Sequence, residues 1–273
     1  MAKKVEVEGK RVLVTGGAQG MGRLWVEHFL ADGARVAIWD RSQETLNALK
    51  AELAGRGHKV FVQGLDITDE RAVGRAADEL SRKWGDVEIL VNNAGIVVGG
   101  PFEEVPYSDL ARTVAVNLTA LMHITRIYLP QMMKRGAGHL INVSSASGFL
   151  GVPYMPAYTA SKWGVIGFTE SIRLELKQGG YDNVGVSLFC PSYVKTGMFD
   201  GAKAPFMTPL LTPEEAVGRA YAAFRAGAYL IKEPFMVKMT PVLRALMPTS
   251  MFDAIADRLG VTGSMKEWTG HGK

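Results

Sequence analysis

Tyr158 and Lys162 stand four residues apart in a segment of helical period, YTASKWGVIGF, so both side chains leave one face of a helix. Taking a proton from an alcohol near neutral pH needs a base that ionises close to the working pH, whereas tyrosine starts near 10. An ammonium about 4 Å away contributes on the order of 4 kcal/mol at an effective dielectric of 20. At roughly 1.4 kcal/mol per unit, that charge lowers the tyrosine by about 3 units, enough to make it a usable acid/base. The plainer alternative is an amphipathic helix in which Tyr158 packs and Lys162 is solvated. Upstream, Ser145 offers a hydroxyl that can hydrogen-bond an oxygen as charge develops on it. Ser144 and Ser147 offer the same group, and such hydroxyls also satisfy backbone atoms.

A second constellation opens the chain. The run TGGAQGMG, from Thr15 to Gly22, falls between an apolar strand and a helical segment. There Gly16, Gln19, Gly20, Met21 and Gly22 would bring backbone N–H groups and a helix N-terminus onto a pyrophosphate, although the same glycines suit any tight strand-to-helix turn. Asp40 closes the next strand, where a carboxylate accepts hydrogen bonds from ribose hydroxyls and repels a ribose phosphate. Gln19 leaves the glycine turn without a cation, so the cofactor expected is NAD. Arg41, next along, is suited to grip a phosphate and keeps NADP as the alternative. Asp66, before Ile67 and Thr68, either faces the adenine amino group or closes a turn.

The elements that must position these residues alternate. Strand-like runs RVLVTG, RVAIWD, KVFVQGLD, EILVNNAG, HLINVSS and VGVSLFCP are separated by amphipathic segments. Strands this apolar need helices on both faces, which predicts an α/β fold, a doubly wound parallel sheet of Rossmann type. No repeat, low-complexity tract or linker marks a boundary, so residues 1–273 are read as a single domain. Residues 196–212, including MFDGAKAPFMTPLL, have little period and read as a lid over a substrate. They end at Thr212-Pro213-Glu214-Glu215, a helix start with Thr as N-cap, Pro at N1 and Glu at N3. Residues 241–273 form a C-terminal apolar extension. In it Ser250 is expected to cap a short helix that carries Phe252, Ile255, Ala256 and Leu259 on one face and ends at Gly260. This tail would pack on a neighbouring subunit, cover a substrate mouth or rest on a membrane, with Asp253 and Asp257 opposing the last.

Composition narrows the classes. Of the 273 residues 47% are hydrophobic and 21% charged, with a net charge of +4, which describes a globular chain. Basic residues are scattered among acids, as in KAELAGRGHK, so no nucleic-acid partner is expected. The single Cys190 has no disulfide partner, and the five histidines, His28, His58, His123, His139 and His271, show no metal-binding spacing. No leader and no apolar run long enough to span a membrane are read, so a cytoplasmic protein is expected.

TGGAQGMG, the NNAG run ending at Gly95, Asn117, the NVSS run ending at Ser145 and YTASK at Tyr158 to Lys162 occur in the order and at the gaps of a known family. From about Lys10 to about Phe235 the chain resembles the short-chain dehydrogenases/reductases. The resemblance implies an oxidoreductase that moves a hydride between a nicotinamide and a substrate alcohol or ketone, with Ser145, Tyr158, Lys162 and Asn117 as its catalytic set. Asn117 would hold the water that links Lys162 to solvent, or else be an Asn that interrupts a helix by bonding to backbone. Asn92, Asn93, Ala94 and Gly95 would contact the adenosine side. In the run from Cys190 to Thr196, Pro191 and Val194 would line the nicotinamide and Thr196 would hold its carboxamide. Ser192 departs from the family's usual glycine. Dimers or tetramers are common in the family, so a homo-oligomer, a homotetramer among the possibilities, is expected.

Between Ser145 and Tyr158 the sequence ASGFLGVPYMPA has no charge, and Val97, Val98, Tyr193, Phe199, Phe206, Met207 and Leu210 continue that character. Such walls favour a lipophilic secondary alcohol or ketone, alicyclic or steroid-like, or else pack a core or interface. A 3-oxoacyl thioester reductase, using Lys195, Lys203 and Arg126 near its mouth, is the rival enzyme. A catalytically silent NAD-binding interaction protein is the rival of another class.

Overall fold

Each strand carries apolar side chains on both faces, and the fold follows from covering both. The computed structural model describes residues 4–206 and 208–270; Met207 of the expected lid and His271 lie outside them. The chain runs β1 (Arg11–Thr15), α1 (Gly20–Ala31), β2 (Arg35–Asp40), α2 (Gln43–Gly55), β3 (Phe61–Gly64), α3 (Glu70–Trp84), β4 (Ile89–Asn92) and α4 (Tyr107–Val114). A π-helical turn (Ala115–Thr119), α5 (Ala120–Arg135), β5 (Gly138–Val143), a 3₁₀ turn (Ala146–Gly148), α6 (Pro156–Gln178) and β6 (Val184–Pro191) follow. The last elements are α7 (Pro213–Arg225), β7 (Leu230–Glu233), α8 (Phe235–Leu246) and α9 (Thr249–Arg258).

The strands form one parallel sheet in the order β3-β2-β1-β4-β5-β6-β7. Register puts Val12 beside Val36 and Ile89, and Leu13 beside Ala37 and Leu90. The first set feeds a core with Trp25, Phe29, Leu46, Leu53 and Phe224 of α1, α2 and α7. The second set feeds a core with Val73, Leu80, Ile124, Tyr128 and Leu176 of α3, α5 and α6. The period of two along each strand therefore builds a three-layer molecule. Strand order reverses between β1 and β4, which opens a crevice at their C-terminal ends.

The doubly wound sheet is as expected, and three details differ. The sequence reading missed β7, a short edge strand whose LIKE sequence is half polar and pairs only with β6. Helix α8 begins before the expected extension and runs through Pro241. Ser250 does not cap α9, which starts at Thr249 behind Pro248 with no side-chain cap. Residues 196–212 are largely loop, and the tail closes over them. Phe206 N–H donates to the Leu259 carbonyl (2.8 Å), Lys203 N–H to the Ser264 carbonyl (2.8 Å) and Trp268 Nε1 to the Met198 carbonyl (3.0 Å). These contacts hold the tail against the 196–212 loop. Among the described residues no helix is long and apolar enough to cross a membrane, and no cluster of His, Cys, Asp and Glu could hold a metal.

The expected capping box is present on α7: Thr212 Oγ1 accepts from Glu215 N–H (3.2 Å) while Glu215 Oε2 accepts from Thr212 N–H (3.0 Å). Thr212→Ala should cost about 1 kcal/mol and lower the melting temperature by about 2–4 °C. A thermal melt monitored by circular dichroism, with cofactor affinity measured alongside and expected unchanged, checks this.

Candidate active site

The crevice begins where β1 turns into α1. Gly16 has φ 62°, and a Cβ there would sit 2.9 Å from the Ala94 Cα. A Cβ on Gly22 would overlap the Gly16 carbonyl oxygen, so only glycine lets the helix start this close to the strand. The NNAG loop is sewn to the same turn. Asn93 Nδ2 donates to the carbonyls of Thr15 and Gly16 (3.1 Å each), and the Thr15 hydroxyl accepts from Asn93 N–H (3.1 Å) and Ala94 N–H (3.2 Å). Helix α1 has Gln19 at its N-cap with no side-chain cap, so its first N–H groups are available at the crevice. Asp40 lies against the turn, one oxygen accepting from Ala18 N–H (3.0 Å) and the other from Ser42 N–H (3.3 Å). A glycine cradle that a Cβ would fill, uncapped helix N–H groups and a carboxylate at the next strand end fit a dinucleotide phosphate and ribose.

Some expected contacts lie elsewhere. Asp66 accepts from the Thr68 N–H (2.9 Å) and hydroxyl (2.7 Å), which hold its carboxyl below the usual range; this is the turn reading. Ile67 packs against the core beside α3. Arg41 is exposed, and its charge reaches Asp66. Asn92 does not face the adenosine side. It is buried, with Nδ2 donating to Thr125 Oγ1 (3.1 Å) and Asn142 Oδ1 (2.9 Å), because its place on β4 turns it away from the crevice.

Tyr158, Lys162 and Ser145 meet at the ends of β5 and β6, and all three are buried. Lys162 Nζ donates to the Val143 carbonyl (3.0 Å) and lies 5.6 Å from the centre of the Tyr158 ring. Ser144 donates to the Lys162 carbonyl (2.8 Å), a structural bond that leaves Ser145 as the hydroxyl beside Tyr158. Tyr158 departs from the sequence expectation: burial pushes its hydroxyl above the usual 10, opposed by the Ser145 hydrogen bond. The same burial pulls Lys162 down to about 8, which weakens the cation that was to acidify the phenol. Helix spacing gave the pair its common face but not its desolvation.

Asn117 sits in the π-helical turn, where helix register is broken. Its amide donates to the Ile96 carbonyl (2.9 Å) and Ser161 Oγ (3.1 Å), and its oxygen accepts from Ile96 N–H (2.8 Å). Both amide hydrogens are thus used, one on the loop after Gly95 and one on Ser161 of α6. A Cβ on Gly95 would stand 3.3 Å from the Asn117 oxygen and 3.6 Å from Lys162 Nζ, so Asn117 and Gly95 together frame the lysine.

Two cavities join here. One is lined by Met21, Asn93, Gly95, Lys162, Pro191 and Val194, with Thr196 and Tyr158 among its remaining walls. The Gly20 Cα faces Thr196 across it, as a Cβ on Gly20 would lie 3.8 Å from that side chain. The other encloses about 940 Å³ of empty space, solvent at its mouth included, between the 3₁₀ turn, the lid, α8 and α9. Leu150, Val152, Met155, Tyr193, Phe199 and Phe206 line it as expected. Val97 and Leu210 pack in the cluster beneath. Phe199 meets both aromatic neighbours edge-on, Tyr158 at 6.0 Å and Tyr193 at 5.2 Å between ring centres. The sequence reading missed the α8 wall of Met236, Val237, Thr240 and Leu243, together with Met247, and it missed the Val143 carbonyl as the lysine's anchor. The mixed apolar spacing of α8 was a signal for the first; a backbone carbonyl leaves none.

A family model described as short chain dehydrogenase matches residues 10–205. Epidermal retinol dehydrogenase 2 of Mus musculus is 34% identical over 271 residues, covering 98% of this chain and 87% of that protein. Estradiol 17-beta-dehydrogenase 11 of Macaca fascicularis is 29% identical, covering 95% of this chain and 86% of that protein. A crystal structure of a short-chain dehydrogenase/reductase from Burkholderia phymatum in complex with NAD superposes with a TM-score of 0.81 at 26% identity, over 94% of this chain and 98% of that one. Sequence match, superposition and the cradle with its buried tyrosine and lysine agree: this chain belongs to the short-chain dehydrogenase/reductase family and is a nicotinamide-dependent alcohol dehydrogenase or ketoreductase.

Proposed function

We propose that the protein interconverts a lipophilic secondary alcohol and its ketone with NAD. The observation that carries this reading is the junction of the two cavities at Ser145, Ser192 and Phe199, which places an apolar chamber against the cofactor crevice with Tyr158 beside the seam. Among the described residues no charged side chain lines the chamber, so a charged substrate would lose its hydration without compensation. Relatives named for retinol, a primary alcohol, and for estradiol, which carries a secondary one, support the lipophilic character of the substrate. A carrier-bound thioester has less support: Lys203 pairs with Glu267, and Lys195 and Arg126 do not line the chamber.

When bound, the nicotinamide supplies the hydride acceptor for oxidation, or the donor for reduction, and a positive charge in its oxidised form. Ser145 donates a hydrogen bond to the substrate oxygen and holds it beside the Tyr158 hydroxyl. Tyr158, ionised, takes the alcohol proton as the carbon loses hydride; in reduction it returns that proton to the ketone oxygen. Lys162, tied to the Val143 carbonyl, keeps a cation behind the phenol and exchanges protons with it. Asn117 keeps the loop at Gly95 in place. Asp40 selects NAD by accepting from ribose hydroxyls and repelling a phosphate at that point. Exposed Met122, Trp163 and Leu174 on α5 and α6 support self-association, and the buried thiol of Cys190 suits a reducing, cytoplasmic setting.

Two variants separate the roles. Tyr158→Phe should lower kcat by about 10²–10⁴-fold with NAD affinity retained, followed as NADH absorbance with a panel of cyclic and long-chain secondary alcohols; full turnover would remove Tyr158 as the acid/base. Asp40→Ser should raise the NADP-over-NAD ratio of kcat/KM by about tenfold or more, the equivalent of 1.4 kcal/mol, mainly through KM. An unchanged ratio would take cofactor choice away from Asp40.

A further inference from the structure

The polar side chains that line the substrate chamber are few, and their partners divide them into two sets. Thr208 donates to the Pro205 carbonyl (2.7 Å), Thr240 donates to the Met236 carbonyl (3.0 Å), and the Tyr193 hydroxyl is bonded to Ser264 Oγ (2.8 Å). Ser264 itself donates to the Val261 carbonyl (2.7 Å), so the Tyr193 proton goes to Ser264. None of these hydroxyls has a proton left to donate to a ligand. Ser145, Ser147 and Ser192 are different. Ser145 accepts from Ser147 N–H (3.2 Å) and directs its own proton to the reaction end beside Tyr158, while the Ser147 hydroxyl is buried with no partner. All three follow β5 or β6, and Ser145 and Ser192 also line the cofactor cavity. The remaining walls, from Met236 through Met247 and Phe252 to Val261, are otherwise apolar.

Nearby cations are held outside. Arg244 lies 4.8 Å from the centre of the Trp163 ring and donates to the Phe149 carbonyl (2.8 Å), and Lys238 pairs with Glu233 (3.3 Å). Lys232 lies 5.4 Å from the centre of the Phe149 ring. None of the three lines the chamber.

We infer that the substrate carries its polar atoms at one end, where Ser145, Ser147 and Tyr158 receive them, and is hydrocarbon over the part that lies against α8 and α9. The inference rests on the proposed reading of the site and narrows it: a second acceptor at the far end, such as a carbonyl, meets no side-chain donor there and gives up part of its hydration without a protein partner. An alcohol or ketone with a plain hydrocarbon body is therefore preferred over an otherwise equal one oxygenated at both ends.

The test compares 2-undecanone with 2,10-undecanedione, which differ by a carbonyl near the far end, as substrates for reduction by the intact protein with NADH or NADPH. Counted per ketone, kcat/KM for the dione should be lower by about tenfold or more, carried mainly by KM. Met247→Gln and Ile255→Gln, both at chamber-lining positions that are only partly buried or exposed, supply a donor and should narrow the gap by about threefold or more. Equal per-ketone values, or a gap unchanged in both variants, would overturn the inference and leave the proposed function standing. Reduction of neither ketone with either cofactor would instead overturn the proposed function, and this inference with it.

Discussion

The site depends on placing a phenol and an ammonium together where water does not reach. Tyr158 and Lys162 are both buried, and burial acts on them in opposite directions, raising the phenol and lowering the ammonium to about 8. Each therefore resists the charge that catalysis asks of it. The Val143 carbonyl compensates by fixing Lys162 Nζ, and the Ser145 hydroxyl favours the ionised phenol. In the proposed reaction, the positive charge of an oxidised nicotinamide bound in the adjoining cradle would complete the balance. On that proposal Tyr158 would act as a base with the cofactor in place and be a poor one before.

The rest of the molecule serves that arrangement. Parallel strands end together, so the glycine turn after β1, the NNAG loop after β4, Ser145 after β5 and Pro191 at the end of β6 gather along one edge. The two side-chain layers, one under α1, α2 and α7 and one under α3, α5 and α6, keep those strand ends in register. Asn117 and Gly95 frame Lys162 from the side. The 196–212 loop and the C-terminal tail then border a chamber with largely apolar walls, with Tyr193 and Ser264 bonded one to the other.

What the sequence made legible was local. The glycine turn, Asp40 at the end of β2 and the Thr212 capping box each follow from a few residues in a row, and each is where its pattern put it. Tyr158 and Lys162 share a face because helix geometry requires it. What escaped depends on contacts distant in sequence. Desolvation of Tyr158 comes from Phe199, Tyr193 and the tail packed beside it, and it raises the phenol against any lowering by the lysine charge. Asn92 was grouped with its neighbours in NNAG, yet strand alternation sends its amide to Asn142 and Thr125. Ser250 resembled a cap, but the cap position falls two residues earlier, at Pro248. The short strand β7 is held by its pairing with β6, which a half-polar tetrapeptide does not announce.

The most direct measurement is the ionisation of Tyr158 in complexes with the oxidised and the reduced cofactor, read as the phenolate absorbance difference between the wild-type protein and Tyr158→Phe across alkaline pH. The expected midpoint with the oxidised cofactor is lower by about 2 units or more, the size of effect that one positive charge at close range has in a partly screened site. Equal midpoints in the two complexes would contradict the central claim, because the charge that makes Tyr158 a base would then not come from the cofactor.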